Sequence, residues 1–245
     1  LVQGARPLFF LDYVASSKLD AQQIAAIVGG IASACRTLGC ALLGGETAEM
    51  PGVYESGEID LVGSIIGVVE RSAIIDGSRI QAGDAIIGIP SSGLHTNGYS
   101  LARKALEFMD WQQPQPDLNG QTIGEVLLAV HRCYLPQVEK LWQAGLDVRG
   151  LAHITGGGFI DNLPRILPDG AGAMIRRGSW TELPIFALIQ RSGNITANEM
   201  FHVFNMGIGM LIILPSEQAQ TALDTLNGDA HLVGEIVAGQ GVTIA

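Results

Sequence analysis

The sequence predicts an α+β protein with mixed sheets and two domains, and three observations carry that prediction. Short apolar segments typical of strands alternate with segments whose apolar residues recur every three or four positions, as on one face of a helix. The strands are short and unevenly spaced, which favours a mixed sheet over a regular parallel one. Turn signals such as Asp76-Gly77 cluster over residues 70–84, and we place the boundary there, giving domains of residues 1–75 and 76–245.

In the first domain we expect strands over 8–11, 40–43 and 59–69, with one helix over 20–38. Asp20 is placed to cap that helix, and Gly39 favours its end. In the second domain we expect strands over 85–89, 151–154, 171–175, 210–214 and 232–237. Helices are expected from 99, over 123–144 with an interruption at Pro136, and over 159–166, 183–190, 197–204 and 216–226, the last capped by Ser216.

Composition narrows the class of protein. Hydrophobic residues make up 47% of the chain and charged residues 16%, which excludes a disordered protein. The formal net charge of −10 argues against broad binding to nucleic acid. Apolar stretches are too short for a membrane span, and the three cysteines show no disulfide pattern. We therefore expect a cytoplasmic protein that binds neither nucleic acid nor membranes.

Glycine is unusually frequent, with 32 residues among 245. Several glycines follow predicted strands, where backbone N–H groups can approach an anion without an intervening Cβ. In the first such segment Gly44 and Gly45 precede Glu46 and Glu49. Mg²⁺ prefers carboxylate oxygens and shares its shell with phosphates, so this pattern suits a Mg-nucleotide. A tight turn with solvated glutamates is the alternative.

Two further segments have the same character. Residues 91–100 form a hydroxyl-rich loop before a helix, with His95 and Asn97 as side-chain donors. This loop lacks the Lys-Ser/Thr pair of a Walker A loop, and a helix start capped by Ser or Asn is the alternative. Thr155 precedes three consecutive glycines, which indicate close approach either of a ligand or of another stretch of backbone.

The remaining candidates are weaker. Residues 205–210 begin with Asn205, and their glycines equally fit a bulge or a turn that enters a strand. His131, His202 and His231 fall in predicted helices or strands, and we interpret them as structural. The sequence contains no Ser-His-Asp order and no metal-type Cys/His spacing, so it supports neither a covalent nucleophile nor a zinc site.

Five segments in order nevertheless resemble one family, the phosphoribosylformylglycinamidine cyclo-ligases, also called AIR synthetases. They are FFLDY from residue 9, GGETAEMPG from 44, SSGLHTNGYSL from 91, TGGGF from 155 and FNMGIGM from 204. The resemblance implies the two-domain AIR synthetase-like fold and the ATP-dependent cyclisation of formylglycinamidine ribonucleotide in purine biosynthesis. It also implies a phosphorylated small-molecule substrate, ATP and Mg²⁺ as cofactors, and a homodimer formed through the N-terminal domain.

The resemblance assigns residues to roles. It implies that Gly44, Gly45, Glu46 and Thr47 bind the nucleotide, with Glu46 as metal ligand. Glu46 and His95 become the catalytic candidates. The candidates for substrate binding are Glu49, Ser91, Ser92, Gly93, His95, Asn97, Thr155, Gly156, Gly157, Gly158 and Asn205.

The sequence departs from the family in one respect. Chains of the family begin roughly a hundred residues earlier, a domain-sized length. That segment carries a glycine-rich loop and an Asn-Asp pair that supply much of the expected ATP and metal site. We therefore expect an incomplete N-terminal domain and a chain that is weak or inactive alone.

Two alternatives stay open. A related ATP-using enzyme, of the selenophosphate synthetase or thiamine-monophosphate kinase type, is disfavoured by Glu46 and by Glu49-Met50-Pro51. A non-catalytic module that binds a phosphorylated ligand or dimerises is the other alternative.

Overall fold

The computed structural model describes all 245 residues, which divide into two compact units. Residues 3–74 form the N-terminal unit and residues 75–245 the C-terminal unit. Neither unit contains a helix that combines the length and the apolar character needed to cross a membrane.

The N-terminal unit is a three-stranded sheet with one helix. Its elements are β1 (Arg6–Ser16), α1 (Ala21–Thr37), β2 (Ala41–Glu49) and β3 (Ile59–Val68). The strand order is β2-β1-β3, with β1 parallel to β2 and antiparallel to β3. Because two parallel strands need a crossover, α1 connects β1 to β2. Asp20 caps α1 as predicted, since its Oδ1 accepts a hydrogen bond from the backbone N–H of Gln23 at 2.8 Å.

The prediction for the segment around Gly44 is wrong. The strand expected to end at Leu43 continues through Gly44 and Gly45 as far as Glu49, so these glycines lie inside β2 rather than in a loop. Pairing with the long strand β1 supplies hydrogen bonds that outweigh the low strand propensity of glycine. A Cβ on Gly45 would lie 2.0 Å from the carbonyl oxygen of Asp12, so close strand packing accounts for this glycine.

The pairing of β1 with β2 contains a bulge. Phe10 pairs with Leu42, and the next residue, Leu11, pairs with Gly44. Leu43 is therefore the extra residue, and the side chains that follow it change faces relative to an unbroken register.

The C-terminal unit is built on a six-stranded sheet covered by helices. Its strands are β4 (Ala85–Pro90), β5 (Gly150–His153), β6 (Ala171–Ile175), β7 (Ile208–Leu214), β8 (His231–Ala238) and β9 (Val242–Ile244). Its helices are α2 (Tyr99–Ala105), α3 (Ile123–Leu127), α4 (Leu135–Gln143), α5 (Gly158–Asn162), α6 (Pro184–Gly193), α7 (Ala197–Val203) and α8 (Ala219–Leu226). The strand order β5-β7-β4-β8-β6-β9 is antiparallel except for the last pair, which confirms the α+β class with mixed sheets.

Three local predictions for this unit are wrong. The single helix expected over 123–144 is two helices, α3 and α4, separated by an irregular segment. Pro136 lies in the first turn of α4, where its missing N–H costs nothing, so it starts a helix rather than interrupting one. Ser216 begins a short 3₁₀ turn, and the residue before α8 is Gln218, whose side chain makes no capping hydrogen bond. Strand β9 was not predicted.

The core of this unit is apolar and aromatic. All seven residues of β7 are buried, as are most residues of β4. Phe159 stacks on Trp180 with 5.7 Å between ring centroids, and Phe201 packs against both rings. Fully buried aromatic side chains of this kind contribute several kcal/mol each to stability.

The sheet topology brings three loops to one edge. β4 and β5 both run antiparallel to β7, so their last residues lie beside its first residues. Pro90 pairs with Ile208, and His153 pairs with Met210. The loops that follow β4 (91–98) and β5 (154–157) therefore meet the loop that precedes β7 (204–207). We call these three the convergent loops.

Candidate functional site

Asn205 connects the first and third convergent loops. Its Oδ1 accepts hydrogen bonds from the Ser91 hydroxyl at 3.0 Å and the Gly207 N–H at 2.9 Å. Its Nδ2 donates to the carbonyl oxygen of Gly93 at 2.8 Å. Only 2% of Asn205 is exposed, and these three bonds direct its amide toward protein. The structure therefore gives Asn205 a positioning contact, whereas the sequence suggested substrate binding.

Asn97 connects the first and second convergent loops. Its Oδ1 accepts from the N–H of Gly156 at 2.9 Å, and its Nδ2 donates to the carbonyl oxygen of His95 at 2.6 Å. Asn97 and Thr155 are half-buried, while Ser92 and Gly156 are exposed. These residues form the surface that a ligand can reach.

Two of the three glycines that follow Thr155 are explained differently by the structure. Gly158 has a φ of +54°, and a Cβ there would lie 2.0 Å from the carbonyl oxygen of Phe201. Gly156 is exposed, and the nearest atom to its Cβ position is Asn97 Oδ1 at 3.5 Å. Close backbone packing therefore accounts for Gly158. Gly156 instead lies at the surface, and no backbone atom lies close to its Cβ position.

Asn162 supports the second loop from beneath, and the sequence analysis missed it. Its Oδ1 accepts from the Thr155 hydroxyl at 2.9 Å, and its Nδ2 donates to the carbonyl oxygen of Gly158 at 2.7 Å. Asn162 is buried although it lies on the short helix α5. An isolated asparagine in a helical pattern gives no signal of such a role.

His95 lies inside the first loop rather than on its surface. Its ring is buried, and its Nε2 accepts from the N–H of Ser92 at 2.9 Å, which places the ring proton on Nδ1. That Nδ1 is buried without a hydrogen-bond partner. His95 and the following Thr96 both have left-handed backbone, with φ of +54° and +61°. The loop is thus held in a strained conformation by its contacts.

Burial and the neighbouring side chains keep His95 uncharged. Burial lowers the pKa of His95 to about 3, and the neighbouring His131, His153 and Arg132 act in the same direction. Burial also lowers the pKa of His131 and His153. His131 lies in the irregular segment between α3 and α4, so its predicted helical context is wrong. All three imidazoles are neutral at neutral pH.

Arg132 supports the first loop at its base and was not predicted. Its guanidinium donates to the carbonyl oxygen of Pro90 at 3.1 Å, forms an ion pair with Asp229 and lies over the ring of Tyr134. The Tyr134 hydroxyl donates to the same Pro90 oxygen at 3.2 Å. A signal existed in the sequence, because Arg132 is one of only 14 basic residues in an acidic chain.

The predicted nucleotide residues lie in the N-terminal unit. Glu46 is exposed on β2, and its Oε1 accepts from the N–H of the adjacent Thr47 at 3.1 Å. Glu49 ends β2, and its Oε2 accepts from the N–H of Leu19 at 2.9 Å, in the turn that leads into α1. Glu46 thus presents a carboxylate to solvent, whereas Glu49 already holds a turn.

Both units match one family of known proteins. Residues 1–69 match the N-terminal domain of the AIR synthase related protein family, and residues 81–245 match its C-terminal domain.

Curated relatives and a solved structure agree with this match. A phosphoribosylformylglycinamidine cyclo-ligase of Rippkaea orientalis is 47% identical over 100% of this chain, which covers 73% of that protein. The enzyme of the same name from Magnetococcus marinus is 50% identical over 97% of this chain, which covers 68% of it. The structure of the hydrogenase maturation protein HypE in complex with ATP shares the fold, with a TM-score of 0.67 and 21% identity over 97% of this chain and 67% of that one.

Proposed function

Because this chain belongs to the phosphoribosylformylglycinamidine cyclo-ligase family, we propose that it catalyses the ATP-dependent cyclisation of formylglycinamidine ribonucleotide to 5-aminoimidazole ribonucleotide. The relatives that carry this name are carbon-nitrogen ligases of purine biosynthesis, which makes this chain an enzyme of that class. The observation that carries the proposal is the identity of 47% to 50% over 97% to 100% of the chain.

The proposed reaction transfers the γ-phosphoryl group of ATP to the formyl oxygen of the substrate and releases ADP. A nitrogen of the same substrate then attacks the activated carbon, a C–N bond closes the ring, and phosphate leaves with the former formyl oxygen. Both partners of the ring closure belong to one molecule, so positioning and charge neutralisation are the main demands on the protein.

We propose that the convergent loops bind the phosphorylated substrate. Ser92, Asn97 and Gly156 carry hydroxyl, amide and backbone N–H groups on an accessible surface. The Gly156 N–H donates to Asn97 Oδ1 and the Ser92 hydroxyl to the carbonyl oxygen of Val130, so a phosphate or amidine group would exchange these bonds for its own. Asn205, Asn162 and Arg132 are buried or half-buried beneath them and hold the loops in place. His95 acts here as a neutral group that fixes Ser92.

The residues of β2 are compatible with Mg-ATP. Mg²⁺ is commonly held by one or two carboxylates together with waters and substrate phosphates, and Glu46 provides one exposed carboxylate. When bound, Mg²⁺ would neutralise charge on the transferring phosphoryl group. The solved HypE–ATP complex supports nucleotide binding by this fold.

We also propose a homodimer formed through the N-terminal unit. β3 is an edge strand and exposes large apolar residues, which are Leu61, Val62, Ile65, Ile66 and Val68. Such an edge invites pairing with another chain. Light scattering after size exclusion should give the mass of a dimer for the protein and for Ile65→Val, and the mass of a monomer for Ile65→Asp.

Glu46→Gln tests the catalytic proposal. The change removes the negative charge and keeps the shape of the side chain, so the protein should fold normally and bind Mg-ATP at least tenfold more weakly. Binding is measured by calorimetry, and product formation by the appearance of aminoimidazole ribonucleotide with ADP. Glu55→Gln, on an exposed residue of the same unit, is the matched control.

Two results would contradict these assignments. Unchanged Mg-ATP affinity in Glu46→Gln would remove Glu46 from the nucleotide site. Release of phosphate that does not depend on formylglycinamidine ribonucleotide would assign the chain to another ATP-using reaction.

A further inference from the structure

Three histidines that are distant in sequence meet beneath the convergent loops. His95 lies in the loop after β4, His131 in the irregular segment before α4, and His153 at the end of β5. One ring nitrogen of each lies within 4.8 Å of those of the other two. The Nε2 atoms of His131 and His153 are 3.2 Å apart. No local spacing signals this cluster, and for that reason the sequence analysis found no support for a zinc site.

We propose that His131 and His153 chelate a divalent transition-metal ion of the zinc class through their Nε2 atoms. Two imidazoles bound to one tetrahedral Zn²⁺ at 2.0–2.1 Å place their nitrogens about 3.3 Å apart, close to the observed separation. Imidazole nitrogen suits Zn²⁺, Cu²⁺ and Ni²⁺, whereas Mg²⁺ requires oxygen ligands. The site is therefore chemically distinct from that of a Mg-nucleotide.

His95 packs against this pair without being a ligand. Its ring stacks on His131 with 4.0 Å between centroids and 18° between planes. The in-plane lone pairs of two stacked rings lie in separate, nearly parallel planes, so both cannot point at one ion. The Nε2 of His95 also already accepts from Ser92. Its Nδ1–H is buried without a hydrogen-bond partner.

The surroundings allow an ion to enter and do not repel it strongly. His131 and His153 are half-buried, and the adjacent Leu128 and Val130 are more than four-fifths exposed. Arg132 is a cation that acts on this cluster, and its charge is balanced by the ion pair with Asp229. Because burial lowers the pKa of both histidines, they are neutral at pH 7, which is the form that binds metal.

Calorimetric titration of the whole chain with ZnCl₂ at pH 7, after treatment with EDTA and dialysis, tests the proposal. We expect one saturable site whose affinity falls at least tenfold in His131→Gln and in His153→Gln. His202→Gln, on an exposed histidine bonded to Asp161, should leave the affinity unchanged. A large excess of Mg²⁺ should not displace the Zn²⁺.

A second measurement guards against loss of structure in the variants. Co²⁺ should give a visible absorption band with the unmodified chain that His131→Gln abolishes, while near-ultraviolet circular dichroism stays the same. Equal Zn²⁺ affinity in the unmodified chain and in a variant that combines His131→Gln with His153→Gln would overturn the proposal, as would the absence of saturable binding. The contact would then be a hydrogen bond between two neutral rings. Neither readout uses ATP, so this result is independent of the proposed catalytic function.

Discussion

The N-terminal and C-terminal units use apolar strands in opposite ways. In β3 of the N-terminal unit every residue except Ile59 is exposed, although the strand is rich in Ile and Val. In β7 of the C-terminal unit all seven residues are buried. An apolar run thus predicts a strand in both units, but it does not predict whether the chain itself covers that strand.

The difference has an energetic consequence. The C-terminal unit gains its stability from a packed core, where each lost atom leaves a cavity. The N-terminal unit depends more on backbone pairing along β1. Equivalent substitutions in the two units should therefore have unequal effects, which hydrogen exchange by mass spectrometry can follow separately in each unit.

The largest expected effect comes from a core aromatic residue. Phe159→Ala removes a fully buried ring that contacts Trp180 and Phe201, and should destabilise the C-terminal unit by about 3–5 kcal/mol. Phe9→Ala, on a partly exposed residue of β1, should cost the N-terminal unit about 1 kcal/mol. Equal losses would mean that the two units are packed alike.

Substitution of two glycines by alanine should change the stability in opposite directions. Gly158→Ala places a Cβ against the carbonyl oxygen of Phe201 in left-handed backbone, and should cost roughly 2–4 kcal/mol. Gly29→Ala, on an open face of α1, should stabilise its unit by about 0.5–1 kcal/mol. Urea unfolding followed by circular dichroism measures both, and a stabilising Gly158→Ala would refute the packing argument.

Removing the amide that connects the loops should have an intermediate effect. Asn205→Ala leaves polar partners on Ser91, Gly93 and Gly207 without their bonds, at a cost of roughly 1–3 kcal/mol. Hydrogen exchange should accelerate in peptides that cover 91–98 and 205–210. Asn198→Ala, on an exposed residue of α7, is the control and should leave those peptides unchanged.

The comparison also predicts a pH dependence confined to one unit. All five histidines lie in the C-terminal unit. Since the folded pKa of His95, His131 and His153 is lowered, the unfolded chain binds more protons below the ordinary pKa of about 6.5, and stability falls as pH drops from there.

The slope is about 1.4 kcal/mol per pH unit for each imidazole that stays neutral in the fold. Hydrogen exchange is measured between pH 7 and pH 5 in EDTA and corrected for intrinsic exchange rates. The loss of stability on lowering the pH should appear in the C-terminal unit alone, and His131→Gln should make that loss smaller. A parallel loss in the N-terminal unit would point to carboxylates instead.

Much of the fold follows from local pattern, whereas the site depends on pairing between distant segments. The cap at Asp20 and the strand over 171–175 were predictable because their signals lie within a few residues. The continuation of β2 through Gly44 was not, because the partner strand β1 supplies the reason. The same holds for Asn162 and for the contact between His131 and His153, which only the folded chain brings together.

The bulge at Leu43 decides which face of the sheet carries the acidic side chains at the end of β2. In the observed register Glu46 is paired with Tyr13, so its carboxylate shares that residue's face of the sheet. In an unbroken register that continued from Phe10 and Leu42, Leu43 would pair with Leu11 and Glu46 would pair with Val14. Loss of the bulge with every residue retained would keep all the side chains of β2 and still move the Glu46 carboxylate to the opposite face of the sheet.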